Sequence, residues 1–210
     1  LSDCCERLFG FRRLMPKLLD PGELLFDVVI ATHAHCDHFD PDAMPFLLAD
    51  PHTQFIGARD TCAECERLKI GANARYLAPG DEVASEGLAV RAMPCDHGEL
   101  SKDAVGLLIT LSGKRVYIAG DTCWRPDHFC DPLITGVDLF IAPINGAFGN
   151  LTELQAAQAA ALARPAVAVP CHYWNFAEHG GDPDKYRKHM EREAPGVKVE
   201  LMPMGGCLML

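Results

Sequence analysis

The run Thr32-His33-Ala34-His35-Cys36-Asp37-His38 constrains this chain more than any other stretch. It places three histidines and an aspartate close together, directly after the apolar run Val28-Val29-Ile30. A buried strand therefore ends in a turn crowded with metal-competent side chains. His33 and His35, two positions apart, project the same way from an extended strand end. Asp37 and His38 follow in the turn and face a second point a few ångströms away. One short segment can thus supply parts of two metal positions, the arrangement that clamps a bridging water.

The same event recurs along the chain. Leu24 to Thr32 reads as a strand covered on both faces, and it runs into His33. Leu88 to Met93 alternates as a strand and leads to His97. Val105 to Leu111, the turn Ser112-Gly113-Lys114 and Val116 to Ala119 form a hairpin that ends in Gly120-Asp121-Thr122. Val167 to Val169 leads through Pro170-Cys171 to His172. Alone, Asp121 reads as a turn residue and His172 as a packed core histidine. Strand ends that repeatedly reach a ligand side chain point instead to one site, because α/β sheets gather ligands at one end of their strands.

Helices fill the intervals. Asp40-Pro41 opens one that ends near Asp50, and Asp60 to Ile70 forms another, closed by Gly71. Thr53 to Gly57 and Val137 to Ala142 are strands. Thr152-Glu153-Leu154-Gln155 has capping-box spacing and starts an alanine-rich helix to about Arg164. Asp182-Pro183 starts the last helix, after which Val197 to Leu201 and Cys207 to Leu210 close the sheet. The class is α/β, with residues 1–23 as an irregular lead-in and 24–210 as a single domain.

The formal net charge of −10, with no lysine or arginine block, argues against a nucleic-acid partner. No apolar run reaches membrane-spanning length and no signal peptide is apparent, so a cytoplasmic location without membrane attachment is expected. Homo-oligomerisation is left open. The ten cysteines lie scattered through regular α/β patterning and read as buried thiols rather than a disulfide framework. That holds also for Cys36, Cys95, Cys123 and Cys171, which sit beside the candidate ligands, and for the pair Cys62 and Cys65.

His33-x-His35-x-Asp37-His38, His97, Gly120-Asp121-Thr122 and Pro170-Cys171-His172 together resemble the metallo-β-lactamase-fold hydrolases. The resemblance implies a four-layered αββα sandwich with a binuclear centre at the edge between two sheets. Carried over, His33, His35 and His97 would bind one divalent metal ion, and Asp37, His38 and His172 the other, with Asp121 bridging. Asp37 and Asp121 would then be the catalytic carboxylates, and zinc or manganese the metals. Phe26 to Thr32, Phe55-Ile56-Gly57, Pro79-Gly80-Asp81 and Trp174-Asn175-Phe176 look like the L-ascorbate-6-phosphate lactonase branch. Opening of a lactone of a phosphorylated sugar acid is therefore expected, with Trp174, Asn175 and Phe176 lining the pocket for this small-molecule substrate. Ile141 to Gly146 also resembles related hydrolases, including a lipid phosphodiesterase. A phosphodiesterase and a non-catalytic metal-binding relative stay as alternatives. Such proteins usually carry further strands before the histidine motif. The chain is accordingly expected to lack its N-terminal strands, leaving a sheet edge open or covered by residues 1–23.

Overall fold

The computed structural model describes residues 3–210. In chain order the elements are α1 (Cys4–Phe9), β1 (Val28–Ala31), α2 (Met44–Leu47), β2 (Gln54–Ala58), α3 (Thr61–Leu68), β3 (Ala74–Leu77), β4 (Glu82–Ser85) and β5 (Leu88–Met93). There follow β6 (Gly106–Leu111), β7 (Lys114–Ile118), α4 (Pro126–Phe129), β8 (Leu139–Pro143), α5 (Glu153–Ala163), β9 (Val167–Cys171), α6 (Pro183–Glu193) and β10 (Lys198–Val199). The strands form two sheets, β1-β2-β3 and β10-β9-β8-β7-β6-β5-β4. The small sheet is parallel. The large one is antiparallel from β4 to β7 and parallel from β7 to β10.

Three apolar clusters stack these elements into layers. Ile56, Ala58 and Leu77 of the small sheet meet Val90, Ala92, Val105 and Leu107 on the side of the large one. On the outside of the small sheet, Ala31 and Phe55 pack with Phe39, Met44 and Cys65, which brings in α2 and α3. On the outside of the large sheet, residues of α4, α5 and α6 pack with Tyr117, Phe140, Ala142 and Ala168. The result is the expected αββα order.

Local chemistry explains the best-defined helices. Gln155 N donates to Thr152 Oγ1 while Thr152 N donates to Gln155 Oε1, a completed capping box. A cap of this kind contributes about 1 kcal/mol. The buried face of α5 is Ala156, Ala157, Ala159, Ala160 and Ala163, small side chains that let a helix lie close to its neighbours. Pro183 occupies the first turn of α6, and Asp184 N and Lys185 N donate to Asp182 Oδ1.

Several expected boundaries shift. The first strand begins at Val28, because Leu24 closes a short 3-10 turn and Leu25 is largely exposed. The helix expected over 40–50 contracts to α2, since Asp40 accepts from Asp42 N and Ala43 N and holds a turn first. β3 and β4, which the sequence pattern does not announce, are four residues each, too short to show a clear period. At the end of the chain β10 joins the sheet, but Cys207 to Leu210 do not, and Met209 is exposed. No disulfide forms among the described residues, although Cys130 and Cys207 are exposed rather than buried. No described helix is long and apolar enough to cross a membrane.

The lead-in is more ordered than expected. α1 ends at Gly10 in the left-handed conformation and buries Cys4 and Cys5. Residues 12–14 then run beside 175–177, with Leu14 N donating to Asn175 O and Ala177 N to Arg12 O. This segment does not pair with β1, whose strand neighbour among the described residues is β2.

Candidate metal centre

The turn after β1 folds tightly on itself: His38 N and Phe39 N both donate to His35 O. Ala34 N donates to Asp60 Oδ2, which ties the turn to the start of α3. Val105 N donates to Thr32 O, which fastens the end of β1 to the chain entering β6. Asp121 follows Gly120, whose φ of +71° and missing Cβ are both needed, since a Cβ there would stand 2.8 Å from Val105 O. His97 lies just beyond the end of β5, and His172 directly follows β9.

These strand ends bring all seven expected residues together. His33 Nε2 lies 3.0 Å from His35 Nδ1, and His97 Nε2 lies 3.3 Å from the same atom. His38 Nε2 is 3.2 Å from His172 Nε2 and 3.4 Å from Asp121 Oδ1. His172 Nε2 is in turn 3.2 Å from both Asp37 Oδ2 and Asp121 Oδ2. His33, His97 and Asp121 are buried, and His35, Asp37, His38 and His172 are half-buried.

Hydrogen bonding alone accounts poorly for this packing. His35 Nε2 lies 3.0 Å from the Leu100 carbonyl, a bond only an N–H can make. In the neutral ring that leaves Nδ1 as one lone pair, yet two further imidazole nitrogens crowd it. Nitrogens bound to one tetrahedral zinc at ~2.05 Å would stand about 3.3 Å apart. The observed separations of 3.0 and 3.3 Å are of that size. Donor atoms fall within 4.8 Å of one another in the groups His33–His35–His97, His33–His38–Asp121 and Asp37–His172–His179. The donor set, imidazole and carboxylate at a buried point, fits divalent cations.

Electrostatics agree. Burial pushes the pKa of His33 down to about 2, and the neighbouring His38 adds to the effect. His97 is lowered chiefly by burial as well. Burial alone would raise Asp37 and Asp121, but hydrogen bonds from His172, together with the charge of His38, hold both well below the carboxylate range. Burial would lower His172, yet Asp121 and Asp37 outweigh it and raise it to about 10. The ion-pair partners of the two aspartates among the described residues are histidines. Without a cation, a buried imidazolium must balance the carboxylates, the position in which a metal ion is the stronger counter-charge.

Partners beyond the donors set their orientation. Thr32 Oγ1 is 3.0 Å from His33 Nδ1 and 3.5 Å from His38 Nδ1. Asn150 Nδ2 donates to Asp121 Oδ2 over 2.9 Å. A cavity of about 160 Å³ opens onto the group, lined by Phe9, Phe11, His35, Asp37, His97, Leu100, Asp121, Phe148, His172 and His179.

The expected pocket residues Trp174, Asn175 and Phe176 do not line this cavity. His172 and Trp174 both take left-handed backbone, with φ of 58° and 56°, and the bend turns the indole outward. Trp174 is 55% exposed. Asn175 faces a different groove with Arg13, Met15 and Leu18, and Phe176 is buried against Cys4, Cys5 and Cys36. The walls come instead from the lead-in, through Phe9 and Phe11, and from the loop after β8, through Phe148. His179 also stands at the site, and the sequence pattern does not disclose it. It follows no strand; the Gly180-Gly181 pair behind it is the available sign of a tight return. No cysteine joins the donor groups among the described residues.

A four-layered sandwich with histidines and aspartates gathered at its strand ends defines a metal-dependent hydrolase scaffold. The sequence matches the Beta-lactamase superfamily domain over residues 1–173, and the chain belongs to that superfamily as a metallo-β-lactamase-fold member of the UPF0173 metal-dependent hydrolases. A UPF0173 metal-dependent hydrolase of Aeropyrum pernix is 32% identical over 193 residues, which cover 85% of this chain and 78% of that protein. One of Korarchaeum cryptofilum is 34% identical over 182 residues, with the same shares. Among solved structures, Igni18, a metallo hydrolase from Ignicoccus hospitalis, superposes with a TM-score of 0.69 at 25% identity, covering 84% of this chain and 76% of that one. An isothiocyanate hydrolase from Delia radicum gut bacteria shares the fold, with a TM-score of 0.70 at 22% identity over 89% of this chain and 77% of that one.

Proposed function

We propose that this chain hydrolyses a small, uncharged lactone or ester, with two divalent cations held by His33, His35, Asp37, His38, His97, Asp121 and His172. The observation that carries the reading is the convergence of these donors, with His35, Asp37, His97, Asp121 and His172 lining a cavity walled by Phe9, Phe11, Leu100 and Phe148. Zinc and manganese both suit such donors. When bound, cations of this kind acidify water and polarise the carbonyl under attack.

The protein's own groups supply the rest. The Leu100 carbonyl and the Thr32 hydroxyl orient His35 and His33. Asn150 holds one oxygen of Asp121, which leaves the carboxylate fixed between the two sides of the site. Asp37 and Asp121, held ionised beside His172 and His38, supply the negative charge that balances the cations. The phenylalanine walls exclude bulk water and favour an apolar substrate body.

The lactone part of the expected substrate fits these walls better than the phosphate part. No lysine or arginine lines the cavity among the described residues, so the phosphate of L-ascorbate 6-phosphate would meet no fixed cation of the chain. The same observation weighs against a phosphodiester. The test is a substrate panel on metal-loaded protein: an aliphatic lactone, a small aryl ester, L-ascorbate 6-phosphate, a phosphodiester and an alkyl isothiocyanate. Turnover of the uncharged lactone above both phosphorylated compounds is expected. Phosphodiester turnover exceeding lactone turnover would overturn the assignment.

A further inference from the structure

We propose that His179 is a further protein ligand, joining Asp37 and His172 at one of the two cation positions. The proposal rests on the reading above that the centre binds cations, and it adds a donor from outside the strand-end pattern. A ring nitrogen of His179 lies within 4.8 Å of donor atoms of both Asp37 and His172. Its ring stacks on that of His172 at 4.5 Å and 25°. His179 is only 4% exposed, and its Nδ1 is buried without a hydrogen-bond partner. A core histidine normally satisfies its ring nitrogens; leaving one orphaned costs about 1–3 kcal/mol. Coordination through Nδ1 would offset that cost, whereas the orphaned Nδ1 atoms of His97 and His172 belong to rings that face the site with Nε2.

The chain goes to some length to bring this side chain back. At His172 and Trp174 it bends through left-handed backbone, and His179 N donates to Phe176 O. Arg12 N donates to Glu178 Oε2, which fixes the outer side of the loop against the lead-in. On the inner side Gly180 and Gly181 press on Asn145 and Ile144: a Cβ on Gly180 would stand 2.8 Å from Asn145 O. Phe11, Phe148 and Phe176 surround the ring at 5.6, 5.8 and 5.1 Å, so the donors of Asp37 and His172 are the polar groups gathered beside it. Donors on one tetrahedral zinc would stand about 3.3 Å apart, a spacing inside the 4.8 Å that bounds this group.

The experiment compares wild type with His179→Ala and His179→Asn. Chelator-stripped protein is dialysed against graded Co²⁺, and bound metal is measured by plasma emission alongside the visible cobalt bands. Melting curves of the stripped proteins check that both variants fold. Wild type is expected to take up two equivalents. Each variant should keep one at wild-type affinity and bind the second about tenfold or more weakly, with altered cobalt bands. Two ions bound with wild-type affinity and an unchanged spectrum in either folded variant would overturn the proposal while leaving the functional reading intact. Wild type that takes up no cobalt would sink the functional reading, and this proposal with it.

Discussion

The two sides of the centre are built in different ways. The turn 32–38 is largely local: His38 N and Phe39 N close it on His35 O, and its donors follow at spacings set by one strand end. Distant Asp60 and Val105 fasten only its start, at Ala34 N and Thr32 O. The loop 172–181 is not. It carries left-handed non-glycine residues at His172 and Trp174, and it is held by residues 12–14 on one side and by Ile144 and Asn145 on the other. A locally encoded turn presents its donors whenever its strand forms. A loop held by distant partners presents them only when the whole fold is in place, and meanwhile it stores strain on the order of 1–3 kcal/mol per unusual residue.

That contrast also divides what the sequence discloses. His33, His35, Asp37 and His38 are legible because one period and one turn fix them. His97, Asp121 and His172 are legible as strand ends, and the α/β class follows from alternating strands and helices, whereas the layer order comes from the resemblance to the metallo-β-lactamase fold. His179 and the walls Phe9, Phe11 and Phe148 are not, because nothing local marks them. Each reaches the cavity through contacts between segments far apart in the chain, or through a bend that no propensity announces. Trp174 to Phe176 shows the same limit from the other direction: adjacency to His172 in sequence does not make a residue a neighbour of the cavity.

Breaking one side at a time sharpens the comparison. The largest loss is expected from His33→Ala, which removes a buried donor of the local turn. Turnover should fall by more than about a hundredfold, beyond what loss of an outer partner costs, and melting curves of the metal-free chain check that the variant folds. A variant that keeps wild-type turnover would refute the assignment of His33.

Phe176→Ala strikes the other side. The ring is buried between the lead-in and the loop, and its removal should cost about 3–5 kcal/mol of stability by denaturant titration. Metal uptake should weaken at the second equivalent before the first. Equal weakening of both would mean that the loop does not carry its own donors.

Asn150→Ala acts between the two sides, since Asn150 holds Asp121. Metal affinity or turnover should drop about ten- to a hundredfold with the fold unchanged. Isothermal titration with Zn²⁺ would register it, and an unchanged affinity would show that Asp121 needs no such support.

The last effect is a pH dependence of the metal-free chain. His172 is raised from 6.5 to about 10 in the folded state by Asp121 and Asp37, against the opposing pull of burial. Its contribution to stability is therefore complete below about pH 6.5 and lost as the pH rises through about 10. Melting temperature of the stripped protein should fall across that window, and saturating cations should flatten the fall. A stripped protein that grows more stable from pH 7 to 10 would contradict the ion pairs assigned to His172.

One centre, built from both sides, is what makes this chain a metal-dependent hydrolase, and small uncharged acyl compounds are the substrates proposed for it. The most direct test titrates chelator-stripped protein with Zn²⁺ or Mn²⁺ while following lactone hydrolysis and bound metal on the same samples. Hydrolysis should be absent at the start, rise with metal uptake to two equivalents, and stay absent throughout in Asp121→Asn. Lactone hydrolysis that survives stripping, or that is indifferent to metal uptake, would contradict it.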